Sequence, residues 1–140
     1  MISILSTLDT CKQFLNIQTR VHQLPWRNFK EIPDTARGVY IIEDDWQQPV
    51  YVGKGWIRNR QSTHWPKATG TPRSYESYPK GWKYLKENNP ELDPKEWTIY
   101  YTTLECETEL TALEGALIHL LKPLANDETY RDQLSTVISE

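Results

Sequence analysis

Apolar positions along the chain change period several times, and the changes divide it into helical and extended segments. Ile4, Leu8, Cys11 and Leu15 recur at close to helical spacing, which predicts a helix over roughly 8–21 with Asp9 and Thr10 near its start. The next stretch, LPWRNFKEIPDTARG, carries Pro25 and Pro33 among residues of mixed polarity and reads as an irregular connection. Residues 38–42 (GVYII) and 49–52 (PVYV) read as strands around the polar EDDWQQ, the signature of a hairpin with a medium loop. Side chains alternate across a strand, so Val39 and Ile41 oppose Tyr40 and Ile42, and Val50 and Val52 oppose Tyr51. Antiparallel pairing then brings Tyr40 and Tyr51 onto one face.

Gly53 and Gly55 bracket Lys54 and allow a tight departure from the sheet. A short helix over about 56–62 follows, setting Arg60 and His64 on one side. WPKATGTPRSYESYPKG is rich in Pro, Gly, Ser and Thr and reads as a long loop with Tyr75 and Tyr78 as anchors. GWKYLKENN predicts a short helix, and WTIYYT, residues 97–102, a third strand. The clearest helix spans 106–121. Leu110, Leu113, Leu117, Ile118 and Leu121 share its apolar face, with Glu105, Glu107 and Glu109 at its N-terminal end. Glu114 borders that face, where the plain reading is an edge residue of the exposed side; facing the core, its carboxylate would need a partner that a cation can supply. Pro123 stops the helix, and Asn126 is placed to bond local backbone and fasten the turn. In the tail, Leu134, Val137 and Ile138 are candidates for a last docked element.

The elements predict an α+β fold with a small three-stranded antiparallel sheet flanked by helices. A chain of 140 residues suits one core. No stretch approaches the roughly 20 apolar residues that span a bilayer, and the first residues lack the pattern of a secretory signal, so a cytoplasmic location is expected. Cys11 and Cys106 stand far apart outside any CxxC pair, which disfavours a zinc cluster and suits reduced thiols.

Charge distribution changes the picture more than net charge does. The formal net charge is −3, yet from Lys54 to Lys86 there are eight Lys or Arg against the single Glu76, while the rest holds eight basic and eighteen acidic residues. Trp56, Trp65, Tyr75, Tyr78, Trp82 and Tyr84 interleave with those cations. Such a mixture suits phosphate contacts together with base or sugar packing. A solvated basic surface over ordinary core aromatics is the plainer alternative.

Gly38-Val39-Tyr40, ten intervening residues, then Tyr51-Val52-Gly53-Lys54, followed by Arg60, His64, the helix-borne Glu114 and the turn ending in Asn126, resembles the GIY-YIG nuclease family. The likeness covers roughly 36–127. It divides the chain into an N-terminal helical extension (1–35), a nuclease-like domain (36–127) with an insertion at 64–95, and a tail (128–140). The resemblance implies a divalent-metal-dependent DNA endonuclease that leaves 5′-phosphate and 3′-hydroxyl ends. Glu114 would hold Mg²⁺ or Mn²⁺, Tyr40 would act as general base, and Tyr51 would orient water or phosphate. Arg60 would clamp the scissile phosphate. His64 would contact phosphate or transfer a proton, since imidazole titrates near neutrality. Lys54, Arg60 or the metal would favour the Tyr40 phenolate, and Asn126 would be architectural.

Arg58, Lys67, Arg73, Lys80 and Lys83 are expected to contact DNA phosphates. The expected partner is double-stranded or branched DNA, with no membrane role, and recognition of a palindrome would imply a homodimer. Sequence-specific restriction and structure-selective repair both remain open. The competing class is a non-catalytic nucleic-acid-binding protein on a nuclease scaffold.

Overall fold

A four-stranded antiparallel sheet in the order β1-β4-β2-β3 separates two groups of helices. The computed structural model describes residues 3–69, 82, 85, 87 and 92–126. The elements in chain order are α1 (Ile4–Phe14), β1 (Val21–Pro25), a 3₁₀ segment (Trp26–Glu31), β2 (Arg37–Glu43), β3 (Pro49–Trp56), α2 (Ile57–Thr69), a second 3₁₀ turn (Pro94–Glu96), β4 (Thr98–Thr103) and α3 (Glu107–Leu121). Among these residues no helix is long and apolar enough to cross a membrane.

The three expected strands are present, and a fourth joins them. Val21–Pro25, which spans the end of the expected helix and the start of the expected irregular connection, pairs with β4 from Val21 opposite Thr102 to Pro25 opposite Thr98. Its residues are mostly half-exposed, so no aliphatic run marks it. Backbone pairing and the stacking of His22 on Tyr101, with ring centroids 4.8 Å apart, supply what local propensity does not.

Helix α1 starts and ends earlier than its apolar spacing suggests. Ser3 caps it by accepting the Ser6 backbone N–H, and Asn16 turns the chain left-handed at φ 57°, a conformation Asn tolerates better than most residues. Helix α2 runs to Thr69, beyond the expected 62, and holds Pro66. Residues 82, 85 and 87 are helical, in keeping with the helix expected there. The remainder of the long loop and the tail, including Arg73, Tyr75, Tyr78, Lys80, Lys83 and Tyr84, lie outside the described residues.

One sheet face presents Tyr40, Ile42, Ile99 and Tyr101 to Trp26, Phe29, Ile32, Ile57, Trp82 and Trp97. The opposite face presents Val39, Ile41, Val52 and Tyr100 to Ile4, Leu8 and Cys11 of α1 and Leu110, Leu113 and Leu117 of α3. Each fully buried aliphatic side chain contributes about 1.5–3 kcal/mol, so burial outweighs local propensity in setting these helices. Residues 4–32 are therefore integral to both cores. Val50 does not face Val52 as simple alternation requires. The β2–β3 register shifts after Ile42, which opposes Tyr51 while Glu43 opposes Pro49; this bulge leaves Val50 in the same cluster as Tyr40.

The hairpin loop is held by Asp44, whose Oδ1 accepts the N–H groups of Trp46 and Gln48 at 2.9 and 2.8 Å. On the outer edge of β3, Asn126 Oδ1 accepts the Val52 N–H and Asn126 Nδ2 donates to the Val52 carbonyl, both at 2.9 Å. Leu124 and Ala125 donate to Pro49 and Val50. Asn126 thus clasps a distant strand, where its sequence context suggested a local bond. Asn126→Ala leaves both Val52 groups without these partners and is expected to cost about 2–3 kcal/mol, measurable as a lower urea midpoint.

Candidate active site

The site gathers at the β3 side of the sheet, where four elements deliver side chains. Tyr40 lies in central strand β2 opposite Gly53 of β3, and Tyr51 lies two residues along. Their rings stack with centroids 6.1 Å apart and 20° between planes. A Cβ on Gly53 would collide with the Tyr40 hydroxyl. The glycine of the second motif therefore makes the space that the tyrosine of the first motif occupies.

Helix α2 buries Ile57, Gln61, His64 and Ala68, a stripe at helical spacing in which two members are polar. His64 Nε2 lies 2.9 Å from the Tyr40 hydroxyl, and His64 Nδ1 accepts the Trp82 indole N–H at 3.0 Å. Tyr51 and His64 rings approach to 4.4 Å between centroids. Gln61 Oε1 accepts the Trp26 indole N–H at 3.1 Å, and its amide nitrogen donates to the Ile57 carbonyl at 2.9 Å. Gln61 and Trp26 were not among the expected site residues, and Trp82 was expected only as a base- or sugar-packing aromatic. A buried glutamine in phase with His64 on one helix is the signal that could have exposed the first of them.

Arg60 and His64 are near one another, but one is exposed and the other buried. The Arg60 side chain lies over Gly55, and its guanidinium forms no hydrogen bond or ion pair among the described residues. Lys54 is committed elsewhere. Its Nζ donates to Glu107 at 3.1 Å and to Thr111 at 2.9 Å, while Arg37 holds the other Glu107 oxygen. Glu107, Thr111 and Glu114 follow one another along one side of α3, so the Lys54 charge reaches Glu114 without touching it.

Partial burial raises the Glu114 pKa, opposed by Lys54 and Arg60 and reinforced by Glu107. Its carboxylate makes no hydrogen bond or ion pair among the described residues. Those residues contain no cluster of three His, Cys, Asp or Glu side chains. One uncommitted, half-desolvated carboxylate still fits a hard divalent ion that keeps most of its waters.

Burial pushes the Tyr40 hydroxyl well above the usual phenol pKa. Tyr51 and Glu114 add to the rise, while Arg60 and the neighbouring Gln61 side chain oppose it. Tyr51 is raised for the same first reason, with Glu114 adding and Arg60 opposing. Tyr40 is a neutral phenol in the free protein. His64 also departs from the titrating role expected of it: burial, then Lys67 and Arg60, lower its pKa to about 4.

The His64 shift has a sign that can be checked. Between the unfolded value of 6.5 and about 4, the unfolded chain holds a proton that the folded chain does not. Its contribution is complete above the unfolded value and is lost as pH falls toward 4. At about 1.4 kcal/mol per unit, wild type is expected to lose roughly 2–3 kcal/mol relative to His64→Gln between pH 7.5 and pH 4. Urea unfolding of the pair across that range measures it; parallel pH profiles would contradict the shift.

Other expected phosphate contacts are distributed unevenly. Arg58 and Lys67 are half-exposed on α2, and Lys67 acts electrostatically on His64. Among the interleaved aromatics, Trp82 is fully buried and Trp65 packs edge-on to Trp26 at 5.0 Å. These two serve the core, whereas Trp56 is exposed. Cys11 and Cys106 are both free, as expected.

No protein-family model matches the chain, and no curated protein matches it significantly.

Proposed function

We propose that the protein is a divalent-metal-dependent DNA endonuclease of the GIY-YIG type. The observation that carries this reading is the convergence of the stacked Tyr40 and Tyr51, His64 on the Tyr40 hydroxyl and Arg60 over Gly55, with Arg60 and Glu114 uncommitted to partners among the described residues. In this reading β2, β3 and β4 with α2 and α3 form the three-stranded nuclease unit, and the earlier elements are an extension built onto it. Double-stranded or branched DNA is the substrate.

Hydrolysis adds water across the P–O3′ bond. The attacking oxygen bonds to phosphorus, the O3′ leaves and takes a proton, and the ends are 5′-phosphate and 3′-hydroxyl. Glu114 would hold Mg²⁺ or Mn²⁺, which when bound supplies Lewis-acid charge to the phosphate. Arg60 offers a planar donor fork to the phosphoryl oxygens. Tyr40 accepts the water proton as its phenolate, a form that the Arg60 charge and the His64 N–H favour, and Tyr51 borders the path of that water. His64 is a neutral donor to Tyr40. Lys54 acts through its charge on Glu114, and Asn126 holds the strand that carries Tyr51.

The test is cleavage of a panel of plasmid, single-stranded, flap and junction DNA, with and without Mg²⁺ or Mn²⁺, with product ends mapped. Metal-dependent cuts with 5′-phosphates are expected. Discrete duplex sites would indicate restriction, cuts at branches would indicate repair, and DNA binding without cleavage would favour a non-catalytic binding protein. Failure to bind or cut any of them would remove the nucleic-acid reading.

A further inference from the structure

Two tryptophans stand behind the Tyr40 hydroxyl, each bonded to a group that can either donate or accept. An indole N–H only donates. Trp82 therefore requires a bare Nδ1 on His64, which in a neutral imidazole puts the proton on Nε2, facing the Tyr40 oxygen. Trp26 in the same way requires the carbonyl end of Gln61 to face it, turning the amide nitrogen to the Ile57 carbonyl.

We propose that Trp82 is a positioning residue that fixes His64 as an N–H donor to the Tyr40 oxygen, with Trp26 stacked on Trp82 to hold its ring in place. With the Nε2–H of His64 directed at it, that oxygen cannot pass its proton to His64. Its own proton must leave by a route other than His64, and any negative charge that develops there meets a donor already in place. A Tyr–His dyad in which histidine takes the tyrosine proton is excluded by the same geometry. The arrangement also gives residues 1–35 a part in the site, because Trp26 belongs to them.

Both tryptophans have the burial such a role requires. Each is fully buried, and they stack on one another at 6.0 Å and 9°, while Trp82 also stacks on Tyr51 at 5.9 Å. The rings lock the N–H directions, so donor orientation does not depend on mobile side chains. Only the catalytic consequence rests on the nuclease reading; the tautomer belongs to the protein without DNA.

The experiment is ¹⁵N NMR of the DNA-free protein at neutral pH, followed by cleavage kinetics. Wild type should show His64 with a protonated Nε2 and bare Nδ1, and a through-hydrogen-bond coupling between Trp82 Nε1 and His64 Nδ1. A protonated Nδ1, or no such coupling, would overturn the proposal without any variant being made. In Trp82→Phe, which keeps an aromatic ring, the pure tautomer should give way to a mixture, and DNA cleavage should fall roughly 10- to 100-fold, the scale typical of removing a partner that orients a histidine. An unchanged tautomer in that variant, or a changed tautomer with unchanged cleavage, would refute the positioning role. If wild type cuts no DNA, the nuclease reading fails while the tautomer result stands independently.

Discussion

Glu114→Gln should reduce metal-dependent DNA cleavage about a thousandfold or more while leaving thermal stability equal to wild type or slightly higher. The two halves of this expectation have one cause. Partial burial penalises the ionised carboxylate, so an amide of the same shape relieves a cost of folding. The same exchange removes the anionic oxygen that would hold the cation, whose charge is worth several kcal/mol to phosphoryl transfer, or about three decades in rate. Single-turnover cleavage in Mg²⁺, with a melting curve on the same sample, checks both halves. Arg60→Ala is the companion, since Arg60 is exposed and without a partner among the described residues; it should also abolish cleavage without unfolding. Wild-type rates in either variant would remove that residue from the mechanism.

Gly38→Ala should destabilise the fold by about 3 kcal/mol or more, a large fraction of the 5–15 kcal/mol that holds an ordinary domain together. Gly38 pairs with Thr103 on one side and Gly55 on the other, and a Cβ there would run into the Thr102 carbonyl oxygen. The obstacle is backbone in a neighbouring strand. Strand β2 is flanked on both sides and packed on both faces, so it cannot step aside as a surface loop would. Urea denaturation should show a markedly lower midpoint with the slope unchanged; a midpoint near wild type would mean that β2 and β4 separate more easily than their pairing implies. Gly53→Ala makes a useful contrast, because its obstruction is the Tyr40 side chain, and the site should suffer before the fold does.

What could be read from the sequence follows from how each element is stabilised. Strands β2, β3 and β4 bury both faces or nearly so, which leaves dense β-branched and aromatic runs. Strand β1 is held by pairing at the sheet edge and left no such trace. The limits of α1 were set by Ser3 and Asn16, which act through capping and backbone conformation and not through apolar spacing. Tyr40 and Tyr51 on a common face followed from alternation, but the bulge that carries Val50 to that face did not. Arg60, His64 and Glu114 could be named because their chemistry is conspicuous. That Lys54 is tied to Glu107, or that His64 is held neutral, depends on contacts made far along the chain. Trp82 looked like a base-packing residue in a basic segment, and its burial reassigns it to the core.

The clasp at Asn126 also bears on the order in which the molecule assembles. Strands β2 and β3 are joined by a short turn and can pair early, while Val52 and Asn126 stand 74 residues apart and must await closure of a long loop. A bond made after the rate-limiting step restrains unfolding and leaves refolding little changed. In stopped-flow kinetics Asn126→Ala should therefore unfold faster and refold at nearly the wild-type rate. The asparagine at the end of the motif then functions as a latch on the finished sheet, governing how long the tyrosine-bearing hairpin stays closed once it has formed.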